Sequence, residues 1–81
     1  MDLKDTVEMM LSTDYKERFK AEYYQTQNRY DKLHKMIVKY EAGTLDFEPT
    51  CTIEVLKEQA KHMGMYLYML EVRAQSEGIE L

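Results

Sequence analysis

Apolar residues recur along this chain with the spacing expected of long helices. Over residues 14–41 they return every three or four positions, with no Gly or Pro in between, as on one face of an α-helix. The first stripe is Tyr15, Phe19, Glu22, Thr26, Arg29, Leu33, Ile37 and Tyr40. A neighbouring stripe has Tyr23 and Tyr30 in place of the two charged residues. We expect this more apolar stripe to be the packed face, with the charges at its margin.

Residues 52–76 contain a second stripe of the same kind. Its members follow a heptad-like spacing, and they are Leu56, Ala60, Met63, Leu67, Leu70 and Ala74. A further apolar set lies beside them, consisting of Met65, Tyr68, Met69 and Val72. Apolar residues over so wide an arc predict a helix that is covered on two sides.

The chain therefore predicts an all-α protein with one domain, residues 1–81. Residues 2–11 predict a short N-terminal helix, whose apolar face consists of Leu3, Val7, Met10 and Leu11. A helix this short is marginal alone and has to dock on another surface. The long helices, at about 14–42 and 52–76, are expected to form an antiparallel two-helix hairpin.

Residues at the predicted helix ends support these boundaries. Ser12, Thr13 and Asp14 are three candidate N-caps of the first long helix, and Asp14 with Glu17 has the spacing of a capping box. Gly43 is the expected left-handed residue that ends this helix. Thr52 is one candidate cap for the second long helix. Between them, Leu45 and Phe47 are expected to pack onto the end of the hairpin.

The amount of large apolar side chain predicts self-association. The chain has seven Met, seven Tyr and two Phe among only 81 residues. A protein this small buries a limited area by itself, and one hairpin interface cannot cover all of these side chains. We expect a homo-oligomeric helical bundle, because association buries the second apolar face.

Charge and segment lengths narrow the possible partners. The net charge is −4, and the Lys residues are interleaved with Asp and Glu, which argues against binding to long nucleic acid. A small anion needs only a few local cations and stays possible. The longest apolar run, residues 63–70, is too short for a membrane span. Cys51 is the one cysteine, which fits a reducing cytoplasm.

No catalytic, metal or cofactor site is predicted. His34 follows Asp31 by three residues and His62 follows Glu58 by four, but neither pair has a third ligand at an established spacing. Cys51 has no adjacent His to activate it. We therefore expect a protein that is not an enzyme.

Tyrosines beside cations are the candidate ligand-binding feature. Tyr15 and Arg18 lie at i,i+3 in the first turn of the long helix, where a ring can stack on a base and a cation can pair with a phosphate. Arg29 and Lys32 lie further along the same helix. The alternative is that the Tyr rings pack in an oligomer core, and composition alone favours that packing.

Three motifs resemble a known family. They are D-Y-x-x-R-x-x-x-E from Asp14, R-x-x-K-L-x-x-x-I from Arg29, and L-x-x-Q-x-x-x-M-x-x-Y-x-x-x-L-x-x-R from Leu56 to Arg73. Together they are similar to small helical phage proteins, in particular the sponges that act against CBASS. CBASS is a bacterial defence in which a cyclase makes cyclic oligonucleotides on infection, and the sponges withhold these signals without cleaving them.

The resemblance implies an assembly and a set of site residues. It implies a compact homohexamer in the host bacterial cytoplasm, with cyclic oligonucleotides bound at subunit interfaces. A Tyr for base stacking and a Lys for phosphate are best matched by Tyr15 and Lys32. Arg18, Arg29 and Arg73 complete the expected ligand-binding set.

Two functional hypotheses follow from the sequence. The first is a phage anti-defence protein that sequesters a CBASS-type cyclic di- or trinucleotide, or another nucleotide signal. The alternative is a helical oligomeric interaction protein that docks on a host or phage protein through its Met- and Tyr-rich face.

Overall fold

Residues 2–81, which the computed structural model describes, form helices and no strand. A 3-10 helix, Leu3–Thr6, leads into a short helix α1, Val7–Met10. The long helices are α2, Tyr15–Ala42, and α3, Ile53–Glu77. The predicted all-α class is confirmed. The long dimension of the protein, 43 Å, is close to the ~42 Å expected for the 28 residues of α2.

The long helices begin and end at the residues that their capping chemistry predicts. The Asp14 carboxylate accepts a hydrogen bond from the Lys16 N–H at 3.0 Å. Gly43 has φ +76°, a left-handed conformation that glycine adopts without steric cost. The Thr52 hydroxyl accepts a hydrogen bond from the Val55 N–H, and so caps α3.

A buried cluster joins α2 to α3. It consists of Phe19, Tyr23, Leu67, Leu70, Ala74 and Ile79. The α2 stripe that contains Tyr23 is therefore the packed one, whereas Glu22 and Arg29 are exposed. The polar contacts pair opposite ends of the two helices. The Tyr15 hydroxyl bonds to Glu77 in the last turn of α3, and Glu41 in the last turn of α2 pairs with Lys57 in the second turn of α3.

The last residues of the chain contribute to this core. Gly78 is left-handed, with φ +68°, and the Ile79 N–H then donates to the Ala74 carbonyl at 2.8 Å. This turn directs Ile79 back onto the helices, where it is almost fully buried. The sequence indicates only a short tail here, because one Ile after a helix has no periodicity to reveal its burial.

The N-terminal segment docks through a polar side chain. Thr6 is fully buried, and its hydroxyl donates to the Leu3 carbonyl and accepts from Gln25 of α2 at 3.0 Å. The predicted apolar face is largely exposed at Val7 and Leu11. The prediction of one helix over residues 2–11 also differs from the observed 3-10 and α turns, because the hydrogen bonds of Thr6 hold the tighter turn.

The second apolar set of α3 is uncovered in the single chain. Met65, Tyr68, Met69 and Val72 are all exposed. The covering on two sides that the sequence predicts is therefore not supplied by α2 or by the N-terminal segment.

Replacement of Gly64 by Ala is expected to stabilise the fold. A Cβ at Gly64 would lie 3.4 Å from the Tyr30 ring, which is an ordinary contact distance, and Gly64 has no positive φ. Because Ala favours the helix, we expect Gly64→Ala to raise the free energy of unfolding by up to about 1 kcal/mol in urea denaturation. Gly43→Ala is the control and should lower it, because its φ is strained for Ala. A loss of stability in Gly64→Ala would contradict this packing.

The Tyr23 hydroxyl predicts a dependence of stability on pH. It donates to Glu71 at 2.9 Å, and burial, followed by this hydrogen bond, raises the pKa of Tyr23 to about 12. The folded state thus holds this proton more tightly than the unfolded chain, so the contribution is complete below pH ~10 and is lost as the pH rises toward ~12. Tyr23→Phe should be less stable at pH 7 by about 1 kcal/mol. Its free energy of unfolding should fall less steeply above pH ~10, and equal slopes for both proteins would contradict the assignment.

Candidate ligand-binding site

The start of α2 and the end of α3 form the first candidate site. Its members, here called the Tyr15 cluster, are Tyr15, Phe19, Arg73 and Glu77. The cap at Asp14 places Tyr15 in the first turn of α2, and the buried Phe19 lies one turn later on the same face. Arg73 and Glu77 are one turn apart on α3. The packing of the two helices brings all four side chains together.

Hydrogen bonds join three of these side chains in a ring. Arg73 Nη2 donates to the Tyr15 hydroxyl at 2.7 Å, and this hydroxyl donates to Glu77 Oε1 at 2.8 Å. Arg73 Nε then donates to Glu77 Oε2 at 3.3 Å. The Arg73 guanidinium also lies 5.0 Å from the centre of the Phe19 ring, within the range of a cation–π contact.

This ring of contacts determines the electrostatics of the cluster. The hydrogen bond to Glu77 is the main reason that the pKa of Tyr15 is raised, and the positive charge of Arg73 opposes it. Because Glu77 pairs with Arg73, much of the arginine charge is compensated within the protein. Tyr15 is 45% exposed, so its ring can accept a base on its surface.

Arg18 is close in sequence but has a different partner. Its Nη1 donates to the Ser12 carbonyl at 2.9 Å, and the Ser12 hydroxyl accepts from the Asp14 N–H at 3.0 Å. Arg18 therefore holds the turn that leads into α2. The structure brings Arg73 to Tyr15, whereas the Arg18 side chain, although it belongs to α2, bonds to the preceding loop.

The other two predicted site residues lie far from the Tyr15 cluster. Arg29 and Lys32 are exposed, and they follow Tyr15 by 14 and 17 residues on one helix. At ~1.5 Å per residue, they are roughly 21 and 26 Å away along α2. A small ligand therefore cannot contact both Tyr15 and Lys32 of the same chain.

Lys32 lies instead in a second concave region, here called the lysine pocket. Its volume is about 380 Å³, and it is lined by Lys32, Lys35, Met36, Lys39, Leu45, Asp46 and Phe47. The sequence predicts that Phe47 packs onto the helices. In the structure Leu45 is half-buried, but Phe47 is 55% exposed, so its ring faces solvent beside the lysines.

Two other concave regions are acidic. One, of about 850 Å³, is lined in part by Tyr23, Glu71 and Glu80. The other, of about 450 Å³, contains Glu48 and Glu54. Carboxylates repel phosphates, so the larger volume of these regions does not make them suitable for an anionic ligand.

Neither a metal-binding cluster nor a membrane-spanning helix occurs in the described part of the chain, residues 2–81. No group of three or more His, Cys, Asp or Glu side chains in this part of the chain is arranged to hold a metal ion. None of the helices there is long and apolar enough to cross a membrane.

Comparison with known proteins identifies the family. The model of the Sequestin family matches residues 13–76. This chain belongs to the Sequestin family. No curated protein and no solved structure matches it. The Sequestin match covers nearly all of α2 and α3, including Tyr15, Lys32 and Arg73, and agrees with the resemblance to sponge proteins. The family name suggests that a signalling molecule is sequestered.

Several charged or aromatic residues of these sites, among them Phe19, Glu77, Lys35 and Lys39, were not among the site residues predicted from the sequence. Glu77 becomes a partner of Tyr15, and Phe19 becomes a partner of Arg73, only through the packing of α2 on α3. Lys35 and Lys39 do share a helix face with Lys32, and this spacing is a usable sequence signal. This spacing does not indicate a binding site by itself, because lysines on an exposed helix face are common.

The Tyr15 cluster predicts opposite effects of its two charged residues. Glu77→Gln should lower the pKa of Tyr15 toward its ordinary value, because the carboxylate that favours the protonated hydroxyl is removed. Arg73→Gln should raise that pKa further. NMR titration of ¹³C-labelled tyrosine measures both changes, and Lys61→Gln is a distant charge control that should leave the Tyr15 titration unchanged. Shifts of the same sign in the two variants would contradict the ring of contacts.

Proposed function

We propose that this protein sequesters a cyclic nucleotide immune second messenger, of the di- or trinucleotide type used in CBASS, without cleaving it. The observation that carries the proposal is the Sequestin match over residues 13–76, which covers nearly all of both long helices. On this proposal it is a phage protein that acts in the cytoplasm of the host bacterium. Its ligand is a small nucleotide rather than long nucleic acid or a membrane.

The Tyr15 cluster supports binding of a nucleotide. The half-exposed Tyr15 ring offers a stacking surface, and stacking accepts any base because every base has a π face. Arg73 lies beside it and supplies a cation that can turn from Glu77 toward a phosphate. Arg18, Arg29 and Lys32 are the further cations of the proposed site.

The distances support a site at a subunit interface. Tyr15 and Lys32 lie roughly 26 Å apart on α2, so we propose that they contact one ligand from different chains. The uncovered apolar set of α3 and the exposed Val7 and Leu11 supply surface for this association. We propose that the antiparallel hairpin assembles as a homo-oligomeric bundle, in the form of a hexamer.

Sequestration requires affinity and copy number rather than catalysis. A protein that only holds the messenger lowers its free concentration when binding sites outnumber the messenger and the Kd is below the concentration that activates the effector. The required groups are therefore a stacking ring and phosphate-binding cations. No nucleophile or metal has a role in this mechanism.

Native mass spectrometry tests the proposal directly. The purified protein is mixed with cyclic di- and trinucleotides, other cyclic nucleotides and linear controls, and the masses of the protein and of released ligand are recorded. We expect an oligomer that carries an intact cyclic ligand. Tyr15→Ala should lower the affinity about tenfold or more and leave the oligomer unchanged, because it removes the stacking ring.

Two variants serve as controls for this measurement. Tyr15→Phe keeps the ring and should retain most of the binding. Tyr40→Ala removes a ring with nearly the same exposure, 42%, at the opposite end of α2, and should bind as the unmodified protein does. Unchanged affinity in Tyr15→Ala would refute the role of Tyr15, whereas absence of every ligand from the oligomer would refute sequestration.

The exposed set of Met65, Tyr68 and Met69 favours a second candidate function, that of a helical oligomer that binds a host or phage protein. This function predicts no bound nucleotide and a stoichiometric protein complex. The same native spectra distinguish the two, because a bound nucleotide and a bound protein differ greatly in mass.

A further inference from the structure

A group of lysines on α2 stands out in an acidic chain. The protein has 11 Lys and Arg against 15 Asp and Glu, yet Lys32, Lys35 and Lys39 lie within eight positions. Their spacing of three and then four residues places them on one face of the helix. This region is therefore a local exception to the overall negative charge.

These lysines are not neutralised by ion pairs within the described chain. The ion pairs among residues 2–81 join Lys57 with Glu41, His62 with Glu58, and Arg73 with Glu77. None of them involves the three lysines. Asp46 is the one acid that lines the pocket, so three positive charges and one negative charge leave a net charge of +2. Two phosphodiester groups, each with one negative charge, would balance it.

The connection after α2 turns this charged face into a pocket. Gly43 reverses the chain, and the Thr44 N–H donates to the Lys39 carbonyl at 2.9 Å, which holds the returning segment against the helix. Leu45 and Phe47 then lie beside the lysines. The volume of about 380 Å³ is near the lower end of the ~300–1,000 Å³ typical of ligand pockets.

The chemistry of the lining points to a nucleotide rather than to a bare anion. Lysine ammonium groups bind phosphate, and an exposed aromatic ring such as Phe47 is a stacking surface for a base. The apolar side chains of Met36 and Leu45 also line the pocket, whose exposed surface is mainly apolar. The Tyr15 cluster differs, because Glu77 compensates its Arg73.

We propose that the lysine pocket is a nucleotide-binding subsite, in which Lys35 and Lys39, together with Lys32, bind phosphate and Phe47 stacks on a base. This inference rests on the proposed function, since it assigns the phosphates of the sequestered messenger to a particular place. It adds Lys35, Lys39 and Phe47 to the residues that contact the ligand.

The experiment locates binding and measures its strength in the whole protein. The probes are cyclic di-AMP, AMP, adenosine and inorganic pyrophosphate. Transverse-relaxation-optimised NMR of ¹⁵N-labelled protein reports which backbone amides shift, and calorimetry gives each Kd. We expect cyclic di-AMP and AMP to shift the amides of residues 32–39 and 45–47. Pyrophosphate should shift the lysine segment alone, and adenosine should bind more weakly than AMP.

Charge-matched variants separate local from general electrostatics. Lys35→Gln with Lys39→Gln should weaken binding of cyclic di-AMP about tenfold or more, because charge-assisted hydrogen bonds are lost. Lys4→Gln with Lys61→Gln removes the same charge from exposed positions elsewhere and should change the Kd less than about twofold. Phe47→Ala should weaken AMP about tenfold and leave pyrophosphate unchanged. Circular dichroism verifies that each variant is folded. If the double lysine variant does not fold, the Kd is measured with Lys35→Gln alone.

The outcomes distinguish this inference from the proposed function. Shifts centred on the lysine pocket, with loss of affinity in the lysine variant, support it. Shifts confined to residues 15–19 and 73–77, with the lysine variant unaffected, overturn the pocket and leave sequestration standing. If none of the nucleotides tested by native mass spectrometry binds the unmodified protein, both proposals are overturned.

Discussion

Phe19 and Tyr23 of α2 pack against Leu67, Leu70 and Ala74 of α3, and the rest of the structure depends on this contact. Leu70 is fully buried, and a side chain of its size contributes roughly 1.5–3 kcal/mol on burial. The contact lies near the start of α2 and the end of α3. It therefore fixes these two helix ends against each other and brings the residues of the Tyr15 cluster within hydrogen-bonding distance.

Burial is uneven along the two helices. The buried core lies at the Tyr15 end, whereas Val38, Tyr40 and Val55 at the opposite end are exposed. The outer face of α3 adds further exposed apolar residues, among them Tyr68 and Met69. A chain of this size has too little interior to cover them, which is the physical basis for proposing association. At this less buried end of the helices, the connection after α2 lies beside the lysines.

The cations of the two candidate sites differ in whether a carboxylate of the same chain pairs with them. Arg73 is fixed by Glu77, by the Tyr15 hydroxyl and by the Phe19 ring, so it is preorganised but largely compensated. The three lysines of the lysine pocket have no ion pair within the described chain and lie beside Phe47. An anion at Arg73 competes with Glu77, whereas among the residues that line the lysine pocket Asp46 is the one carboxylate that opposes an anion. Electrostatics therefore favour an anion at the lysines over one at Arg73.

The sequence by itself determined the helices and which of their faces pack. Apolar spacing placed Tyr23 and Leu70 in packed stripes, and capping chemistry placed the ends at Asp14 and Gly43, because helix periodicity and caps are local properties. It also singled out Tyr15 and Arg73 of the Tyr15 cluster and Lys32 of the lysine pocket.

Only the tertiary structure decided which residues meet. It joined Tyr15 to Arg73 and Glu77, buried Thr6 and Ile79, and left Phe47 exposed. These outcomes depend on how α3 lies against α2 and on how the flanking segments return to them. Such contacts join residues up to 62 positions apart, and local spacing carries no information about them.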